Sequence, residues 1–256
     1  MDYFGVKETI MKKTALFCML TVIFFGCASG PRSDKTIINT AGIVQNNFNN
    51  EVTLYGTHKI DFEIHLENIN YSETTASLIK RLIYQGKNPD EYADYLKKDF
   101  IENYAIGYYP PITNDDGTQY YYQSILTVNY KIEFHDNDFV IIHYNDYIYS
   151  GGAHGNYKTL YYIIDIASER ILNISDLITP VPDAVLTELI KKEYDFENFL
   201  RDNIWPPDSV NISSNGISLL WNIYSITPYV AGLININLVN ANPYLTEKGR
   251  EILAKM

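Results

Sequence analysis

The sequence predicts an α+β fold, with antiparallel sheets and hairpins, helices packed against them, and two subdomains. Three observations predict it. Residues 58–67, HKIDFEIHLE, place Ile60, Phe62, Ile64 and Leu66 between polar partners, which is the two-residue period of a strand with one dry face. Residues 72–100 change to helical spacing, with a break at Gly86. Short strand-like runs separated by Asn, Asp and Gly turns occupy most of the remainder.

The N-terminal elements follow from local chemistry. Ala76, Ile79, Leu82 and Ile83 recur at helical spacing behind a Ser72 or Thr74 cap, and Gly86 closes that helix. Pro89 opens a second helix with Tyr92, Tyr95, Leu96 and Phe100 on one side. Asn114-Asp115-Asp116-Gly117 is a turn, without the later oxygen ligands of a calcium loop. Strands are expected over 121–134 and 139–149, joined by a hairpin turn at His135–Asp138. SGGAHGNY, Ser150 to Tyr157, then precedes a strand over 159–166. Gly151, Gly152 and Gly155 permit sharp turns, so the stretch reads as a crossover joining the two subdomains, pinned by His154.

The C-terminal half is expected to hold a turn at 174–178 and a helix from Pro182 to about Leu200. Short strands follow at 210–212, 216–221 and 233–238, the first two linked by a tight Asn215-Gly216 hairpin. A last short helix is expected over 246–255.

Composition excludes some functions. The chain has 256 residues, a formal net charge of -11 and no Lys/Arg run, so a nucleic-acid partner is not expected. It carries 23 tyrosines, whose rings with a polar handle suit half-exposed sheets and binding surfaces. Read from Met11, the leader has a basic MKK, an apolar run from Ala15 to Phe25, then Gly26-Cys27. That run, roughly eleven residues, is too short to span a bilayer. Residues 1–10 read as lying upstream of the true start. Phe24-Phe25-Gly26-Cys27 resembles a loose lipobox of Bacteroides-type lipoproteins, which implies acylation of Cys27, cleavage before it and a lipid anchor, with the outer membrane the expected location. An ordinary secretory signal is the alternative. Cys18 lies inside the leader, so no intrachain disulfide and no thiolate nucleophile are expected.

No local motif carries catalysis. His58, His65, His135, His143 and His154 form no HExxH or HxH pattern, and neither a metal site nor a cofactor is expected. His65 and His143 read as sheet-surface residues. His154 beside Ser150 lacks a GxSxG elbow, and the glycines lack the lysine of a phosphate loop. Acid pairs such as Asp146 with Asp165 are possible on paper, but sequence sets no separation for them.

Two blocks carry a family resemblance. The first is NDYIYSGGAHGNYKTLYYIIDIASERILNISDLI. The second runs from Asn198-Phe199 through Asn215-Gly216 and Tyr224-Ser225-Ile226-Thr227-Pro228-Tyr229, with Gly232, to Pro243-Tyr244-Leu245. Over roughly residues 55–250 these resemble the paired extracellular domains of the anti-sigma factor RsiV and the non-catalytic region of the deacetylase PdaC. The leader gives residues 1–26 as signal and 27–50 as lipid-anchored tether and lead-in, and the resemblance implies 51–155 as an N-terminal α+β domain and 156–256 as a C-terminal RsiV-like domain. It also implies an envelope location and binding of a protein such as lysozyme or of peptidoglycan. The chain has no segment matching the sigma-binding part or the deacetylase domain, so neither activity transfers. His154, Tyr157, Tyr224 and Tyr229 are the candidate junction or ligand contacts. The function expected is therefore a non-catalytic envelope lipoprotein. The alternatives are a cell-wall hydrolase or carbohydrate deacetylase with an unrecognised site, and a structural envelope protein.

Overall fold

A computed structural model describes residues 33–38, 42–54, 58–70, 72–105, 112–194, 203–238 and 242–256. The export signal, Cys27 and the Asn198-Phe199 pair lie outside them. The frame is a mixed sheet in the order β1-β2-β3-β6-β7-β8-β9. Strands β1 (Ser33–Ile38), β2 (Ile43–Leu54) and β3 (His58–Ile69) pair antiparallel. Residues 43–50 belong to the stretch read above as lead-in, yet they pair with β3 in continuous register. Their sequence, IVQNNFNN, puts Asn46 and Asn50 where a dry-face strand would carry aliphatics, so the period-two signal is missing. Main-chain pairing to β3 makes the strand instead.

Helix α1 (Glu73–Leu82) starts where Ser72 Oγ accepts the Thr75 N–H at 3.2 Å. Past its Ile83 cap the chain turns away at Gly86, whose φ of 79° suits only glycine comfortably and whose N–H reaches the Lys80 carbonyl. Helix α2 (Pro89–Tyr104) has Pro89 in its first turn and a reciprocal capping box between Asn88 and Glu91. The small ribbon β4 (Ile112–Thr113) and β5 (Gln119–Tyr120) follows. Strand β6 (Tyr122–His135) then lies parallel to β3. Parallel neighbours need a long crossover, and the two helices supply it.

Strands β6 and β7 (Phe139–Tyr149) form the expected hairpin, with Asp136 Oδ1 accepting the N–H groups of Asp138 and Phe139. Strand β8 (Asn156–Asp165) pairs antiparallel with β7. Ser150–Gly155 thus closes a hairpin between adjacent strands, where the sequence suggested a crossover. The domain boundary placed at 155/156 falls in this hairpin. Short β9 (Arg170–Ile171) pairs with only the last residues of β8, leaving the rest of that edge without a strand partner.

Core packing explains why β7 is fully apolar at its start. Val140, Ile142 and Ile164 face α1 and α2, among Ile60, Ile64, Tyr84, Tyr92 and Phe100. Phe139, Ile141 and Ile163 face a second core on the opposite side. Buried on both faces, the strand loses alternation there. Each such side chain contributes roughly 1.5–3 kcal/mol by leaving water.

The second core is built by α3 (Ile174–Leu177), α4 (Asp183–Glu193), a three-stranded sheet β10 (Ser209–Ser213), β11 (Gly216–Trp221), β12 (Ile234–Leu238), and α5 (Glu247–Leu253). The turn read at 174–178 is a one-turn helix. The helix expected from Pro182 to about Leu200 ends at Glu193 among the described residues. The α+β class is as the sequence predicts, and residues 31–256 form one compact unit with two cores.

Candidate functional site

The four contact residues singled out from sequence come together. His154, on the β7–β8 loop, lies flat on the Tyr229 ring, with centroids 3.7 Å apart and planes 16° from parallel. Tyr229 also meets Tyr224 at 5.7 Å and Tyr157 at 6.3 Å. The Tyr229 hydroxyl donates to the Gly155 carbonyl at 2.9 Å, and His154 Nδ1 reaches the same oxygen at 3.2 Å. Gly155 lets the Tyr147 ring pack close, because a Cβ there would meet that ring at 2.5 Å and push it aside. Desolvation, then the neighbouring Tyr157, Tyr147 and Tyr224, raises the Tyr229 hydroxyl above its ordinary pKa. The protonated hydroxyl therefore remains a donor throughout the physiological range.

Beside this cluster a cavity of about 460 Å³ opens at the β8 edge. Its walls include Tyr104, Asp146, Asn156, Tyr157, Lys158 and Tyr224. Tyr224 is 47% exposed and holds a φ of 66°, a left-handed conformation that side chains disfavour. The adjoining Ser225 holds the turn, its N–H bonded to the Asn222 carbonyl and its hydroxyl to Asp208 Oδ2. Asp208 Oδ2 also accepts the Asn222 N–H at 2.6 Å.

Asp146 is the carboxylate of most interest. It stands half-buried in the cavity wall, and Tyr144 donates its hydroxyl to Asp146 Oδ2 at 2.5 Å. Burial pushes its pKa up, and this outweighs the opposing pull of Tyr144 and Lys158. Sequence did not single it out for this cavity. Its lining residues come from α2, β7, β8 and the segments after Pro206 and Trp221, so no local spacing joins them.

The acid pair Asp146 and Asp165 does not assemble. Asp146 is paired across the strands with Lys158, and Asp165 with Phe139. That places them seven residues apart along the hairpin, ~23 Å, and on opposite faces. Among the described residues no three His, Cys, Asp or Glu side chains group as a metal site.

The other histidines are accounted for locally. His58 Nε2 bonds the buried Ser124 hydroxyl at 2.8 Å. His65 reaches Asn47 and Glu63 on the sheet surface. His143 stacks on Tyr161 at 4.5 Å and approaches Glu133 at 3.3 Å. His135 ends β6. His154 has a ring and a carbonyl as its contacts, with no carboxylate orienting it among the described residues.

The exposed edge of β8 is finished by side chains. Asn222 Oδ1 accepts the Thr159 N–H at 2.7 Å, and its Nδ2 donates to the Thr159 carbonyl at 3.1 Å. Ser209 Oγ accepts the Tyr161 N–H at 2.7 Å and donates to the Tyr161 carbonyl at 3.3 Å. Each side chain imitates the peptide of a missing strand.

No family model matches the chain, and no curated protein matches it. Among solved structures it is similar to the crystal structure of a member of the DUF3298 family from Bacteroides fragilis. The TM-score is 0.59 at 17% identity, over 86% of this chain and 98% of that one. A DUF3298 family protein from Pseudomonas aeruginosa is similar at a TM-score of 0.49 and 14% identity, over 80% and 94% of the two chains. The likeness to the Bacteroides fragilis structure shows a DUF3298-type fold, that of a domain whose function is unknown.

Proposed function

We propose that this protein is a non-catalytic cell-envelope lipoprotein, anchored through Cys27, whose RsiV-like module binds cell-wall glycan in the β8-edge cavity. The observation that carries the reading is the convergence of exposed tyrosine rings on a desolvated carboxylate. A sugar has an apolar C–H face that stacks on tyrosine and hydroxyls that bond carboxylates and amides. Tyr224, Tyr157 and Tyr104 supply the rings, and Asp146 and Asn156 supply the polar groups. A hydrolase or deacetylase would need a base oriented at a nucleophile or water. His154 is stacked and bonded to backbone, which favours binding over turnover.

Calorimetric titration with soluble peptidoglycan fragments, and separately with lysozyme, tests the reading. Fragment binding that Tyr224→Ala weakens supports it. Binding of lysozyme alone moves the function to a protein partner, and release of cleaved or deacetylated product makes the protein an enzyme.

A further inference from the structure

We infer that the ligand is a chain rather than a single unit: an uncharged or amine-bearing glycan strand lying along the outer edge of β8 through two adjoining cavities. This deepens the glycan reading above and rests on it. The second cavity, about 520 Å³, is lined by Leu160, Ile163, Leu172, Ile174, Pro180 and Trp205, among others. Asp208 lines both cavities and so marks the waist between them. The first takes Asn156–Lys158 and the second Leu160–Ile163, successive parts of one strand. At ~3.3 Å per residue the combined run is ~23 Å, several sugar rings long.

An open strand edge ordinarily invites an extended peptide, which binds by completing the hydrogen-bond ladder. From Thr159 to the Ile163 carbonyl that ladder is occupied. Thr159 is taken by Asn222, Tyr161 by Ser209, the Ile163 carbonyl by the Leu172 N–H, and the Gly155 carbonyl by Tyr229. Along that stretch an occupant binds through ring stacking and side-chain hydrogen bonds, which suits a glycan and disfavours a peptide strand. Charge narrows the class further. Asp146, Asp208 and Lys158 are the acidic and basic residues of the two walls, and the chain carries a net charge of -11. Phosphorylated or sulfated polymers are repelled, whereas neutral and amine-bearing ones are not.

Chain-length dependence tests the inference. The probes are N-acetylglucosamine oligomers from trimer to hexamer and their partly de-N-acetylated counterparts, read by calorimetry and tryptophan emission. Of the two tryptophans, Trp221 is sealed in the core, so an emission change reports Trp205. The expected result is affinity rising about tenfold or more from trimer to hexamer. Trp205 emission shifts with the hexamer, and Trp205→Phe brings hexamer affinity toward that of the trimer. Equal trimer and hexamer affinity with unmoved Trp205 emission overturns the inference and leaves the single-cavity reading standing. Absence of binding at every length overturns both. Tighter binding of heparin than of the hexamer at low salt overturns the charge argument and the proposal with it.

Discussion

The side-chain amide of Asn222 pairs with both backbone polar groups of Thr159, as a neighbouring strand would. Asn222 is only 8% exposed, so the pairing is largely shielded from water. Asn222→Ala leaves an N–H and a carbonyl unpaired at the edge. Unfolding in urea is expected to show a loss of roughly 2 kcal/mol.

Asp146→Asn is expected to stabilise the protein at pH 7. Burial raises the folded-state pKa of this carboxyl, so its ionised form is penalised in the fold. The penalty is full above the folded pKa and vanishes as pH falls to the ordinary aspartate range. The stabilisation of the asparagine variant should therefore shrink on acidification, measured by urea midpoints between pH 7 and 3.5. Glycan affinity should fall in the same variant. A residue that costs stability and serves binding behaves this way, whereas a purely structural one does not.

Stability is also expected to fall as pH drops through about 6.5, the ordinary histidine value. Burial lowers the folded-state pKa of His58. Burial does the same for His143, where Lys131 adds to it and Glu133 opposes it. Between the depressed folded value and the ordinary one, the unfolded chain binds more protons, so stability rises with pH across that window. His58→Gln keeps a partner for Ser124 without the titration, and its stability curve should be flatter from pH 7 to 5.

Gly249→Ala is expected to lower stability by about 1–3 kcal/mol, measured by thermal or urea unfolding. Gly249 sits inside α5, where alanine would ordinarily be favoured. A Cβ there would overlap the Leu177 carbonyl oxygen and crowd Leu245. Backbone cannot yield as a side chain does, so overpacking outweighs helix propensity.

The sequence by itself determined the parts whose information is local. Ser72, Pro89 and Gly86 mark the limits of their helices because caps and terminators act within a few residues. The alternation in residues 58–67 marked β3 because one face is dry. Tyr157, Tyr224 and Tyr229 were named as candidates from two blocks that resemble a family, and the fold brings their rings together. Tertiary structure alone decided the rest. Strand β2 exists because β3 pairs with it, despite the asparagines that blur its period. The Ser150–Gly155 loop became a hairpin because β7 and β8 are neighbours in one sheet, a long-range choice that glycines permit but do not specify. Asp146 reached the cavity wall, and Asn222 the β8 edge, only when segments far apart in the chain were packed together. Electrostatics and hydrogen bonding depend on distance in space, and that distance was not written in the spacing of the residues.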